Sequence, residues 1–69
     1  MEKIFLRDEY IKLGQALKLA GLAGSGVEAK IAINDGQVKV NGSTELQRGK
    51  KIFEGDVIEY NGEQVLVCR

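Results

Sequence analysis

The hydrophobic and polar positions along the chain follow two different periods, and the first part of the chain combines a short strand with a helix. An apolar run at residues 3–6 predicts the strand. From residue 11 onward the apolar side chains recur at helical spacing and share one face, which consists of Leu13, Ala16, Leu17 and Ala20. This spacing predicts an amphipathic helix that is capped by Asp8 and ends at Gly21 and Gly24.

A second helix is predicted immediately after these glycines. Ser25 and Glu28 form the pattern Ser-x-x-Glu. In this capping box the serine accepts from the backbone N–H of Glu28, and the glutamate reaches back to the backbone N–H of Ser25. The helix ends at Gly36, since glycine readily adopts the left-handed conformation that terminates many helices. Its apolar residues spread widely around the axis, so we expect it to be buried on more than one side.

The period changes to two beyond the second helix. Val38 and Val40 are expected to face the core, with Lys39 between them facing outward. The dipeptide Asn-Gly occurs at 41–42 and again at 61–62, and each occurrence predicts a hairpin with a type I′ turn. The resulting order is strand, helix, helix and then four or five strands. We therefore expect an α+β fold in which two short N-terminal helices pack on a small, mostly antiparallel sheet with hairpins.

The length and composition exclude several classes of function. A chain of 69 residues is expected to form one domain, 1–69, with a small core, because so short a chain hides only about 60% of its unfolded surface. It has no histidine and a single cysteine, Cys68. We therefore expect no enzymatic activity, no catalytic residue, no cofactor, no metal site and no disulfide. No apolar run approaches the ~20 residues of a membrane span, and a single near-terminal thiol suits a reducing compartment, so we expect a cytoplasmic protein. We also expect it to be a monomer.

The charge is distributed unevenly, although the formal net charge is zero. Residues 12–51 contain seven basic and three acidic side chains and carry a charge of +4, which suits one positive face. Two interpretations remain open: a solvated lysine surface, or a surface that binds phosphates. The candidate cations lie on the two helices (Lys12, Lys18 and Lys30), on the first hairpin strand (Lys39) and in a dense basic loop (Arg48, Lys50 and Lys51). The helix start at Ser25 would add backbone donors for an anion.

Five short motifs resemble the RNA-binding domain named after ribosomal protein S4, also called the alpha-L motif. They occur in the family's order and at its spacing, within residues 11–60: Lys12-Leu13; Ser25 with Ala29 and Lys30; Gly36; Val38-Lys39-Val40-Asn41-Gly42; and Gly55-Asp56-Val57-Ile58. The chain as a whole resembles small bacterial proteins that consist of this domain alone. It departs from the larger family at Gly14, where an aspartate is usual, and at Gly26, where an arginine usually follows the serine.

The resemblance implies an RNA-binding protein that recognises structured RNA, commonly ribosomal RNA, with a role in ribosome assembly or translation. Such a module would read the phosphates and 2′-hydroxyls of A-form RNA, whose base edges are hard to reach. We expect phosphate contacts from the cations named above, with Ser25 cradling one phosphate and with Lys39 and Asn41 extending the contact along the hairpin. Phe5 and Phe53 are expected in the core rather than stacked on bases. Two alternatives remain: a protein-binding adaptor without RNA contact, and RNA binding that requires a partner protein.

Overall fold

The computed structural model describes all 69 residues and contains two helices among seven strands. The helices are α1 (Leu13–Leu19) and α2 (Gly26–Asn34). The strands are β1 (Glu2–Phe5), β2 (Tyr10–Lys12), β3 (Val38–Val40), β4 (Ser43–Thr44), β5 (Lys51–Phe53), β6 (Val57–Tyr60) and β7 (Glu63–Cys68). The α+β class is confirmed. The helices are not N-terminal as predicted, because two strands precede them and place them in the middle of the chain.

The larger sheet has five strands in the order β1-β7-β6-β3-β4. Its neighbouring strands are antiparallel except for β1, which runs parallel to β7. Both predicted Asn-Gly turns are confirmed: φ is 53° at Asn41 and 55° at Asn61, and the glycine that follows each is also in the left-handed region. A type I′ turn requires positive φ at both central residues. These turns set the register of the β3–β4 and β6–β7 hairpins.

The second sheet is a two-stranded antiparallel ribbon of β2 and β5, which the sequence did not predict. Its first strand occupies residues 10–12, where the helical pattern predicted the start of α1. Ile11 pairs with the fully buried Ile52, so the ribbon's inner face belongs to the core. Helix α1 consequently begins after Lys12, whose backbone is extended and whose side chain makes no capping hydrogen bond. The predicted cap at Asp8 is therefore wrong.

Helix α2 begins with the predicted serine cap. The Ser25 Oγ accepts from the N–H of Glu28 at 3.2 Å. The glutamate reaches one residue further back than predicted, because its carboxylate accepts from the N–H of Gly24 at 2.8 Å rather than from Ser25. Gly36, at φ +75°, follows the helix end as predicted.

The faces of α2 differ from the sequence prediction. The helix buries one side, formed by Ala29, Ala32 and Ile33, and leaves Val27 and Ile31 exposed. The expectation of burial on more than one side is therefore wrong. The spread of apolar residues around the axis reflects two exposed side chains rather than a second packing partner.

Replacing Ser25 by alanine is expected to lower the free energy of unfolding by about 1 kcal/mol, because it removes the side-chain acceptor for one first-turn N–H of α2. In a domain of this size the loss corresponds to a decrease in Tm of roughly 4–8 °C. Thermal unfolding followed by circular dichroism measures it. Ser43→Ala, at an exposed position outside the helices, provides the matched control. Equal Tm values for the two variants would show that the cap does not contribute.

The core lies between the helices and the inner face of the larger sheet, and all fourteen buried residues are apolar. Along β3, Val38 and Val40 belong to this core, whereas Lys39 is exposed on the outer face of the sheet, as predicted. Phe5 and Phe53 do not belong to it. Their exposed fractions are 63% and 44%, so the prediction that both rings are in the core is wrong.

Candidate nucleic-acid interface

Three of the predicted phosphate-binding cations lie around one open concavity of about 320 Å³. Lys12, at the end of β2, Lys18, on α1, and Arg48, in the loop before β5, are its charged residues. The remaining lining residues are Gln15, Gly14, Gly26 and Gly49, so no hydrophobic side chain borders the space. We call this site the basic concavity. Its glycines leave backbone accessible between the three cations.

The basic loop is held against the start of α1 by two backbone hydrogen bonds. The N–H of Leu13 donates to the carbonyl of Lys50 at 2.9 Å, and the N–H of Gly14 donates to the carbonyl of Arg48 at 3.0 Å. A Cβ at Gly14 would lie 3.6 Å from the Cβ of Arg48. The glycine that departs from the family pattern therefore lies directly beside Arg48. Because these two N–H groups are occupied, the start of α1 offers them to no anion.

The start of α2 reaches the same concavity through Gly26. The first N–H groups of a helix have no intrahelical partner, and they carry the positive end of the helix dipole. Ser25 uses a lone pair to cap the helix, which leaves its hydroxyl hydrogen as a donor. Lys30 is exposed and lies one turn beyond Gly26, on the same side of α2. Ser25 and Lys30 therefore extend the surface that begins at the concavity.

The outer face of the β2–β5 ribbon adds a feature that sequence reasoning missed. Tyr10 pairs with Phe53 and Lys12 pairs with Lys51, so all four side chains lie on this face. The two rings are tilted by 48°, with their centroids 5.9 Å apart. The Lys51 Nζ lies 4.8 Å from the centroid of the Tyr10 ring, within the range of a cation–π contact. The sequence carries no local signal for this face, because the four side chains come together only when residues 10–12 pair with β5.

Lys39 lies apart from the basic concavity. It occupies the outer face of the larger sheet, and its cross-strand neighbour is Glu59 on β6. The helices pack on the opposite face, so Lys39 does not share a surface with the cations around α1.

Asn41 has a structural role. Its Nδ2 donates to the Asp56 carboxylate at 3.0 Å, and its Oδ1 accepts from the N–H of Val57 at 2.8 Å. The other oxygen of Asp56 accepts from the N–H of Phe53 at 2.8 Å. This bracket, formed by Asn41 and Asp56, joins the first hairpin to the turn between β5 and β6. The Val-Asn-Gly and Gly-Asp motifs are thus two halves of one structural contact.

A larger groove of about 770 Å³ lies beside β1 and α1, and it differs in character from the basic concavity. Most of its lining is hydrophobic, including the exposed side chains of Phe5 and Leu19. Lys3, Arg7 and Asp8 border it. This groove suits an apolar partner better than a phosphate backbone. No helix of the structure has the length and apolar character needed to cross a membrane.

Comparisons with known proteins support the family and the fold. A family profile described as S4 domain matches residues 4–68, which extends beyond the predicted motif core to include part of β1 and all of β7. The chain is 43% identical over 58 residues to YbcJ of Escherichia coli K12, named as a candidate RNA-binding protein, with 84% of this chain and 83% of that protein covered. It is 42% identical over 59 residues to RlbA of Bacillus subtilis 168, named as a candidate ribosome maturation protein, with 86% and 83% covered.

The solution structure of the E. coli protein superposes on this fold with a TM-score of 0.77 and 38% identity. The superposition covers all of this chain and 89% of that one. That structure is described as containing an alpha-L motif involved in RNA binding. The arrangement of the two helices and the sheet is therefore one that a solved relative shares.

Proposed function

Since the chain belongs to the S4 domain family, we propose that it binds structured RNA and that the basic concavity is where phosphates are held. The main observation behind this proposal is that Lys12, Lys18 and Arg48 converge around a space that no hydrophobic side chain lines. Arg48 presents a planar guanidinium that can bind two phosphate oxygens at once, whereas the lysines act as point charges. S4 domains are in general non-enzymatic, which agrees with a binding function.

Recognition in this proposal depends on shape and charge. An A-form helix displays its phosphates and 2′-hydroxyls along a wide, shallow groove, and its base edges are poorly accessible in the deep one. The concavity lies between α1, the start of α2 and the loop at 48–49. The two helices pack on one core, and two backbone hydrogen bonds hold the loop to the start of α1. The backbone positions that carry the cations are therefore fixed. Lys30, Lys50 and Lys51 flank it and extend the phosphate contact, and the Ser25 hydroxyl adds a neutral donor.

Ribosomal RNA is the class of structured RNA that we propose as the ligand. The support is the name of the B. subtilis relative, which refers to ribosome maturation. A role in ribosome assembly would bring the protein to a folded segment of ribosomal RNA, where phosphates from adjacent helices crowd together. A small cluster of cations suits such a location because it neutralises several phosphates within a short distance.

We expect the protein to bind a fluorescent ribosomal RNA hairpin. The logarithm of the affinity should fall linearly with the logarithm of the salt concentration. Three to six phosphate contacts at about 0.9 per contact give a slope between about −2.5 and −5.5. Fluorescence anisotropy at several salt concentrations measures this slope. A DNA hairpin of the same sequence is the control, and it should bind more weakly because its helix has a different shape. If the RNA does not bind even at low salt, the proposal is wrong.

The hydrophobic groove beside β1 supports a second candidate function, that of a protein-binding adaptor. Its exposed Phe5 and Leu19 would bury apolar surface against a partner. Such an interface would not release the counterions that phosphate binding releases. An RNA affinity that falls steeply with salt concentration would therefore support RNA binding, whereas an adaptor without RNA contact would show no such affinity. We favour RNA binding because the cations converge around a space that no hydrophobic side chain lines.

A further inference from the structure

The outer face of the β2–β5 ribbon places two partly exposed aromatic rings beside two lysines. We propose that this face, formed by Tyr10, Lys12, Lys51 and Phe53, binds an unpaired nucleotide that flanks the RNA helix, with its base stacked on Phe53. The inference rests on the proposed function, because Lys12 belongs both to this face and to the basic concavity. It adds a single-stranded element to the structured RNA that the protein recognises.

Phe53 is the ring that is open to a ligand. Its exposed fraction is 44%, against 37% for Tyr10, and one face of Tyr10 already receives the Lys51 ammonium. The Phe53 backbone is fixed by pairing with β2 and by the hydrogen bond from its N–H to the Asp56 carboxylate. The ring is thus exposed on a backbone held from two sides. A positioned aromatic ring stacks on any base, since every base has a π face.

The two lysines of this face favour an anionic ligand. Lys12 and Lys51 are directly opposite each other in an antiparallel pair, where like charges repel. A phosphate that contacts both would relieve this repulsion. A nucleotide supplies the phosphate and the base together, and the register places both lysines on the same face as the Phe53 ring. The combination therefore favours a nucleotide over an apolar ligand or a free anion.

Acidic residues limit the extent of the RNA on this face. Asp8 and Glu9 line a further concavity together with Tyr10 and Lys12, and Glu54 directly follows Phe53. A phosphate backbone that continued past Tyr10 would approach these carboxylates. The stacked nucleotide is thus expected at the end of the protein's footprint, next to the paired segment held by the basic concavity.

The test compares a blunt RNA hairpin with the same hairpin extended by one unpaired nucleotide, made in 5′ and 3′ versions that carry 2-aminopurine. The wild-type protein is expected to bind one extended hairpin about tenfold more tightly than the blunt hairpin, within the range reported for base–aromatic stacking. Fluorescence of that 2-aminopurine should be quenched on binding. Phe53→Leu should bring the ratio of the two affinities close to one and remove the quenching, whereas Phe53→Tyr should retain both.

Phe5→Leu is the matched control, since it makes the same change at an exposed ring on β1, outside the ribbon. It should leave the affinity ratio as in the wild type. Equal binding of the blunt and both extended hairpins by the wild type overturns the stacking inference and leaves the proposed function intact. The same holds if Phe53→Leu keeps the wild-type ratio. A wild-type protein that binds none of these RNAs overturns both proposals.

Discussion

Replacing Lys18 and Arg48 together by glutamine is expected to weaken the binding of a structured RNA hairpin by about tenfold to a hundredfold at low salt. Both side chains line the basic concavity, and each releases counterions when it neutralises a phosphate. The slope of log affinity against log salt should become shallower by about two units, one for each lost contact. Anisotropy titrations at several salt concentrations measure both quantities. The fold should be preserved, because neither side chain belongs to the core.

The matched control is the double variant Lys3→Gln/Lys39→Gln, which removes the same charge from the outer face of the larger sheet. Both lysines are exposed, and neither lines the basic concavity. If binding depends on the cations around α1, the control should keep nearly the wild-type slope. Equal losses in the two double variants would mean that net charge, rather than the concavity, determines RNA binding. This result would contradict the proposed site.

Replacing Asp56 by alanine is expected to lower the free energy of unfolding by about 2 kcal/mol, with a decrease in Tm of roughly 8–16 °C. The carboxylate accepts from the Asn41 amide and from the Phe53 N–H, so its loss leaves both donors without this partner. A domain of this size has a total stability of only about 3.5–10 kcal/mol, which makes such a loss a large fraction. Chemical and thermal unfolding measure the effect.

The opposite side of the same bracket can be tested with Asn41→Gly, which keeps the left-handed turn but removes the amide. Asn61→Gly is the matched control, because Asn61 has nearly the same φ and its side chain is not part of the bracket. We expect Asn41→Gly to destabilise by about 1 kcal/mol and Asn61→Gly to have little effect. In combination with Asp56→Ala, the two losses should be less than additive. Simple additivity would show that Asn41 and Asp56 do not act through each other.

The elements that sequence reasoning predicted correctly are those whose signals are local. The two Asn-Gly turns require positive φ, and the serine cap of α2 depends on residues three apart. The β2–β5 ribbon was missed because a three-residue strand carries almost no period of its own. Its pairing is set by the burial of Ile11 and Ile52 against the core, which is a tertiary effect. Helix α1 begins later than predicted for the same reason, because residues 10–12 form β2.

The sequence indicated which types of residue form the candidate site better than it indicated which of those residues lie together. A basic middle segment is visible in the sequence, and three of its cations do converge around one concavity. Lys39 was grouped with them because a sequence does not show which face of a sheet the helices cover. Asn41 was interpreted as a contact residue because its partner, Asp56, lies fifteen positions away. The exposure of Phe53 was likewise invisible without the ribbon.

The parallel pairing of β1 with β7 has a consequence for how the protein forms. Glu2 is in register with Val65, so β1 cannot join the sheet until the distant strand β7 is available for pairing. Contacts between such distant positions slow folding, because a long loop must close before the pairing is rewarded. During synthesis β1 emerges first and has no partner until β7 is complete. A chain that lacks β7 would therefore leave β1 without its partner in the sheet.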